Sequence, residues 1–354
     1  MDATAQAALE PVRARGVALG WALAAGAFLL VAVVVGVLAG PLEIGAGDAA
    51  QSLLAKLGLV DESPLDATGE SILWELRVPR VVLAALVGGM LALAGATYQG
   101  VFHNPLADPY LLGVAAGAGL GATLAIAYLP RALSGQQLLP LAAFAGGAAA
   151  VVVTWAIGRS AGRERDTTTF VLAGVVVASF FTAVQTFVQQ QNSDTLQEVY
   201  SWILGALPSS GWSDVGTLAP YVVASSLVIL AYRRVVDVLS LGDAEAASLG
   251  VDVGRARLVL VVAATIGTAA AVAVSGLIAF VGIIVPHTIR MLVGTSYRGL
   301  LPLSVVFGAG FLVLADVVAR TALSPAELPI GVVTAFFGGP FFALVLRSMR
   351  GGRS

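Results

Sequence analysis

The sequence predicts an all-α, polytopic membrane protein of about ten transmembrane helices. Three observations predict it. Apolar residues make up 58% of the 354 positions and charged residues 11%, with a mean hydropathy of +0.91; a globular domain carries roughly 25% charged residues. The apolar residues fall into runs of about 20, the length that crosses a hydrocarbon core as a helix. Lys and Arg concentrate in alternate connections between the runs, as the positive-inside rule requires of a multi-pass chain.

Cutting the runs at charge clusters, Pro and Gly gives segments at 17–39, 78–101, 110–129, 138–158, 168–190, 214–232, 256–274, 277–293, 302–321 and 329–347. The first is too long for the apolar region of a signal peptide and lacks its flanks, so it reads as retained. Ser275 and Gly276 separate the seventh and eighth, which otherwise read as one long helix. Residues 1–16 form an N-terminal tail, 17–347 a ten-helix domain and 348–354 a C-terminal tail. With the N-terminus inside, fourteen of the 19 Lys and Arg lie in cytoplasmic stretches, while Lys56, Arg77, Arg80, Arg131 and Arg320 lie outside. Both termini are therefore expected in the cytoplasm.

Composition also excludes function classes. With no Cys and two His, the chain has neither a thiolate nor a His-based metal cage. A formal charge of -2 argues against a nucleic-acid partner, which needs clustered cations. A P-loop needs a Lys after a Gly-rich turn. The only lysine, Lys56 in KLGLVDES, has no such turn, so the chain does not hydrolyse ATP by that route.

Three groups of residues stand out. The first is LGDAEAASLGV at 241–251, in the cytoplasmic connection between the sixth and seventh segments. Ala, Glu and Leu favour helix and Asp243 suits a cap, so 236–254 reads as two short helices along the membrane. An ordinary solvated loop and a docking knob both fit. The second is a set of small and polar positions inside the spans: Thr182, Gln185, Thr186 and Gln189 in the fifth, Gly88, Ala92, Ala96 and Gln99 in the second, Gly331, Thr334 and Gly338 in the tenth. Such stripes either line a path or glue helices together, and Gly113, Gly117 and Gly121 read as close packing. The third is Arg77, Arg80 and Arg320, which run against the positive-inside bias; Asp316 and Arg320 have the spacing of a local ion pair. Asn104 and Asp108 suit turn caps before Pro105 and Pro109. His103 and His287 read as structural.

LGDAEAASLGV is similar to the coupling segment in membrane subunits of the type II ABC importer family for iron-siderophores, haem and vitamin B12. The stretch from RVPR through HNPLADP to GLGA (77–122) resembles that family's second and third helices. GLIAFVGIIVPHTIRMLVG (276–294), LLPLSVVFGAGFLVLADVVAR (300–320) and ELPIGVVTAFFGGPFF (327–342) resemble its last third, so coverage runs from about Leu76 to Arg347. The resemblance implies a homodimeric permease of the type II fold in a prokaryotic plasma (inner) membrane, in contact with membrane lipid. Two ATP-binding cassette subunits would sit below, using ATP and Mg, and an extracytoplasmic binding protein above; this chain would bind no cofactor itself.

Residue by residue, the resemblance gives Leu241, Gly242, Asp243, Glu245, Ala246, Ser248, Leu249 and Gly250 to ATPase coupling. It gives Arg77, Arg80 and Arg320 to carboxylates of the binding protein. Thr182, Gln185, Thr186, Gln189, Gln99 and Thr334 fall to the translocation path, and Asn104, Leu106, Thr167 and Thr168 to a cytoplasmic gate. The expected cargo is a ferric siderophore passed intact, with cobalamin or haem as alternatives. An ion-coupled secondary transporter would want ionisable residues at mid-membrane, where Asp316 is the only candidate. A serine hydrolase built on Ser275 and His287 lacks a nucleophile elbow. The shared ten-residue spacing of Gly95 to Pro105 and Gly276 to Pro286 is too little to carry an internal repeat.

Overall fold

A computed structural model describes residues 18–40, 42–129, 138–160, 167–207 and 211–351, without the side chains of 167, 168, 346 and 348–351. The helices are α1 (Leu19–Leu38), α2 (Ala46–Lys56), α3 (Ala67–Val101), α4 (Val114–Tyr128), α5 (Leu138–Ser160), α6 (Thr167–Gln191) and α7 (Leu196–Ile203). They continue as α8 (Trp212–Ala231), α9 (Arg233–Leu239), α10 (Asp243–Ser248), α11 (Val253–Ser275), α12 (Val281–Val293), α13 (Tyr297–Thr321) and α14 (Ile330–Gly351).

Seven of these, α1, α3, α5, α6, α8, α11 and α13, are long and apolar enough to cross a membrane; α4, α12 and most of α14 are shorter apolar helices. Together they match the expected ten segments. The break at Ser275–Gly276 is present, with Gly276 at φ 67°. Two helices escaped the sequence reading because they are amphipathic rather than apolar: α2 and α7. The second span is also longer than expected. A π-helical stretch, Ile72–Arg77, joins a short α-turn to Pro79 at the start of the apolar run. The N-terminal tail lies outside the described residues, and α14 runs on into the expected C-terminal tail as far as Gly351.

Helix α3 is the axis of the packing, with 83% of its apolar window buried against 17% for α1, which lies at the periphery. Small residues let the backbones touch. A Cβ on Gly88 would lie 3.0 Å from the Gly308 carbonyl carbon of α13, and one on Gly117 would lie 2.9 Å from that of Gly146 on α5. Gly117 and Gly121 thus serve the close packing expected of them.

Helices α4 and α12, of 15 and 13 residues, are shorter than the about 20 residues a full span needs. Irregular backbone at 102–113 and 276–280 completes each crossing, and such backbone is tolerated only when its polar groups are satisfied inside the protein. Tyr110 does this for one stretch from the other. Its hydroxyl donates to the Ile278 carbonyl at 2.9 Å and accepts from the Ile278 N–H at 3.1 Å.

Candidate functional site: two ends and an open face

The segment 236–250 is a rigid knob. Asp237 on α9 accepts from Ser296 Oγ (3.0 Å) and the Tyr297 N–H (2.5 Å), and pairs with Arg298 at 3.2 Å, which ties α9 to the start of α13. His103 Nε2–H donates to the Leu239 carbonyl. The chain then turns at Gly242, φ 127°, a conformation that favours glycine. Ala246 is buried, and its carbonyl accepts from the Val251 N–H at 3.1 Å.

Asp243 departs from the cap expected of it. Its side chain makes no cap hydrogen bond; both carboxylate oxygens pair with buried Arg257 on α11, at 2.7 and 3.0 Å. Glu245, Ser248 and Gly250 are exposed, although the Ser248 hydroxyl donates to the Glu245 carbonyl at 2.7 Å. Leu241 and Leu249 are each 63% exposed. Two leucines held out on a clamped turn have no reason in the subunit's own packing; they suit an apolar contact with another protein. The sequence named both but drew attention to the polar residues instead.

At the opposite end, the three arginines read as docking groups turn inward. Arg77 and Arg320 are 5% and 6% exposed. Arg77 donates to the carbonyls of Val37 (3.2 Å), Leu38 (3.0 Å) and Leu42, and Arg320 to those of Ala39 (2.8 Å) and Gly36. Both therefore cap the C-terminus of α1, where orphan carbonyls and the helix dipole favour cations. Arg80 forks between Asp316 (2.9 and 3.0 Å) and Glu327 (2.9 and 3.0 Å), and the expected Asp316–Arg320 pair is present at 3.3 Å. The exposed charges among the described residues here are mostly carboxylates, including Glu43, Asp61, Glu62, Glu75, Glu198 and Glu327.

The polar positions expected on a path divide. Gln99 is buried, donates to the Gly282 carbonyl at 3.1 Å and accepts from Arg290 at 2.9 Å, so it locks α3 to α12. Thr334 is buried and its hydroxyl donates to the Gly331 carbonyl at 3.1 Å. Gln185 is buried against Gly119 of α4. These three serve packing within the subunit. Thr182 and Thr186 remain on the open face of α6 with Phe180 and Phe187, and Gln189 sits at its half-buried edge. The open face of α14 carries Phe336 and Phe337, aromatic positions outside the polar set expected of a path.

Of the gate residues, Asn104 Oδ1 accepts from the Leu106 N–H at 2.9 Å, a turn cap before Pro105; Leu106 is half-buried. The side chains of Thr167 and Thr168 lie outside the described residues. Asp108 makes the matching cap, accepting from the Tyr110 N–H at 2.8 Å.

Comparison with known proteins agrees with this architecture. Residues 28–348 match the model of the FecCD transport family. The chain is 43% identical over 280 residues to a cobalamin import permease, BtuC, of Halobacterium salinarum, covering 79% of this chain and 74% of that one. It is 41% identical over 288 residues to an ABC transporter permease, YvrB, of Bacillus subtilis (80% and 81%). It is 36% identical over 282 residues to the Fe(3+) dicitrate permease FecC of Escherichia coli (78% and 83%). A solved structure described as a metal-chelate type ABC transporter in an inward-facing conformation superposes with a TM-score of 0.80 at 27% identity, over 92% of this chain and 98% of that one. The protein belongs to the FecCD transport family, whose relatives matched here are permeases of ABC importers.

Proposed function

We propose that the chain is the membrane-spanning subunit of an ATP-driven importer for a ferric siderophore. It works as a homodimer with both termini in the cytoplasm. Two ATP-binding cassette subunits, which use ATP and Mg, press on the knob at 236–250, and an extracytoplasmic binding protein delivers cargo at the opposite end. The observation that carries this reading is the knob itself. It is clamped to α13 through Asp237 and to α11 through Asp243, so a push on Leu241 and Leu249 moves two spans rather than a loop.

The open faces of α6 and α14 supply the path where two copies meet. Thr182 and Thr186 with Phe180, Phe187, Phe336 and Phe337 mix hydroxyls with aromatic area, which suits a bulky chelate that is part oxygen and part hydrocarbon. The carboxylate-rich end, with its arginines turned inward, suits a binding protein that presents Lys and Arg. A corrin cargo is the second reading, favoured by the 43% identity to a cobalamin permease.

Glu245→Arg, and separately the pair Leu241→Asp and Leu249→Asp, should lower co-purification of the ATPase at least tenfold while the thermal unfolding of this subunit stays unchanged. Full complex yield with unaltered transport-linked hydrolysis in both variants would contradict the assignment.

A further inference from the structure

We propose that a pocket between α5, α8 and α11, at the end opposite the knob, binds the ammonium head group of a membrane lipid, with Asp214 as counter-ion. The cavity has a volume of about 200 Å³ and is lined by Asp214, Thr217 and Tyr221 of α8, Leu141 and Phe144 of α5 and Ala273 of α11, among others. Asp214 is 8% exposed, and its Oδ2 has no hydrogen-bond partner among the described residues. A buried acceptor left unpaired is unfavourable, and more so when it is a carboxylate.

An acid in the first turn of α8 is favoured by the helix dipole, but an exposed acid would serve that as well. Dipole stabilisation does not account for burial facing a cavity. Nor does the Thr217 hydroxyl of the same pocket answer it, because it donates to the Ser213 carbonyl at 2.9 Å. Among the described residues the pocket therefore presents a carboxylate oxygen without a donor.

Its remaining walls decide which cation fits. A calcium or magnesium ion wants six or more oxygen ligands, and one carboxylate with the hydroxyls of Ser213, Thr217 and Tyr221 does not provide them. An ammonium group is satisfied by a carboxylate and an aromatic wall together, and here Phe144 and Tyr221, with ring centroids 5.6 Å apart, line the same pocket as Asp214. Two of its lining residues, Leu141 and Tyr221, are 57% and 42% exposed, so the pocket is open along an apolar helix surface. A ligand entering there brings an acyl chain with its amine, which points to a lipid of that leaflet rather than a free amine.

The full chain, delipidated in detergent, is titrated with phosphatidylethanolamine, with phosphatidylglycerol, which has no amine, and with soluble ethanolamine, followed by native mass spectrometry. Expected is at least a tenfold preference for phosphatidylethanolamine over phosphatidylglycerol, lost in Asp214→Asn. Equal binding of the two lipids, or a preference that survives Asp214→Asn, overturns the proposal. So does ethanolamine binding as tightly as the lipid, which would assign the pocket to a free amine. If Asp214→Asn does not fold, Ala273→Leu, which fills the apolar wall and keeps the carboxylate, replaces it; undiminished preference in that variant overturns the proposal equally.

Discussion

Asp316→Ala is expected to destabilise the folded chain by about 3–5 kcal/mol, because it removes one partner of a buried ionic cluster and leaves the others charged. Asp316 is fully buried and lies 2.9 Å from Arg80 and 3.3 Å from Arg320. Both guanidinium groups would stay in place, held by the α1 carbonyls and by Glu327, but without the buried carboxylate that pairs with both. Glu327 is the control: its side chain is 53% exposed, so Glu327→Gln should cost no more than about 1 kcal/mol despite an equally short 2.9 Å pair. Replacing Arg80, Asp316 and Arg320 together by apolar residues should recover part of the loss, since the penalty lies in the unpaired charge. Thermal unfolding of the purified chain in one detergent measures all three. A loss for Asp316→Ala no larger than for Glu327→Gln would show that water or lipid head groups reach the cluster and that it does not bind α1, α3 and α13 together.

Gly95→Leu should prevent folding altogether. Helices α3 and α12 cross there with backbone against backbone: a Cβ on Gly95 would meet the Gly282 carbonyl, with the Gly282 Cα at 2.5 Å and the carbonyl carbon at 2.6 Å. Ordinary overpacking costs typically 1–3 kcal/mol because side chains yield. Here the opposing atoms are main chain, so the helices must separate. Separation would also pull Gln99 away from the Gly282 carbonyl, which it holds one turn further along. Gly216→Leu, on α8 with nothing within 4 Å of the added Cβ, should be produced at normal yield. Monodisperse yield on size-exclusion chromatography separates the two. Normal yield of Gly95→Leu would mean that α3 and α12 do not approach as described.

The sequence was most legible where one physical rule acted alone. Apolar length located every span, because the hydrocarbon thickness sets it. Amphipathic α2 and α7 were invisible to that rule, and so was the extension of α3 by a π-helical stretch, whose sequence ILWELR carries charge. The site was legible in position but not in direction. Arg77 and Arg320 lie at the expected end, yet the orphan carbonyls of α1, more than thirty residues away in sequence, turn them inward. Gln99, Gln185 and Thr334 are polar and in the membrane, but polarity does not say which side of a helix meets a neighbour; Gly282 and Gly119 decided that for the two glutamines. Asn104 and Asp108 were readable as turn caps because an Asx turn is local. Leu241 and Leu249 gained meaning only when their exposure was known.

Uptake into proteoliposomes holding this subunit, its ATPase and its binding protein tests the central claim most directly, with ferric siderophores, cobalamin and haem offered in turn. ATP-dependent accumulation of one intact chelate, insensitive to collapse of the membrane gradient and lost with an ATPase-dead partner, is the result predicted. Accumulation that follows the gradient and continues without ATP hydrolysis would contradict it and make the chain an ion-coupled transporter.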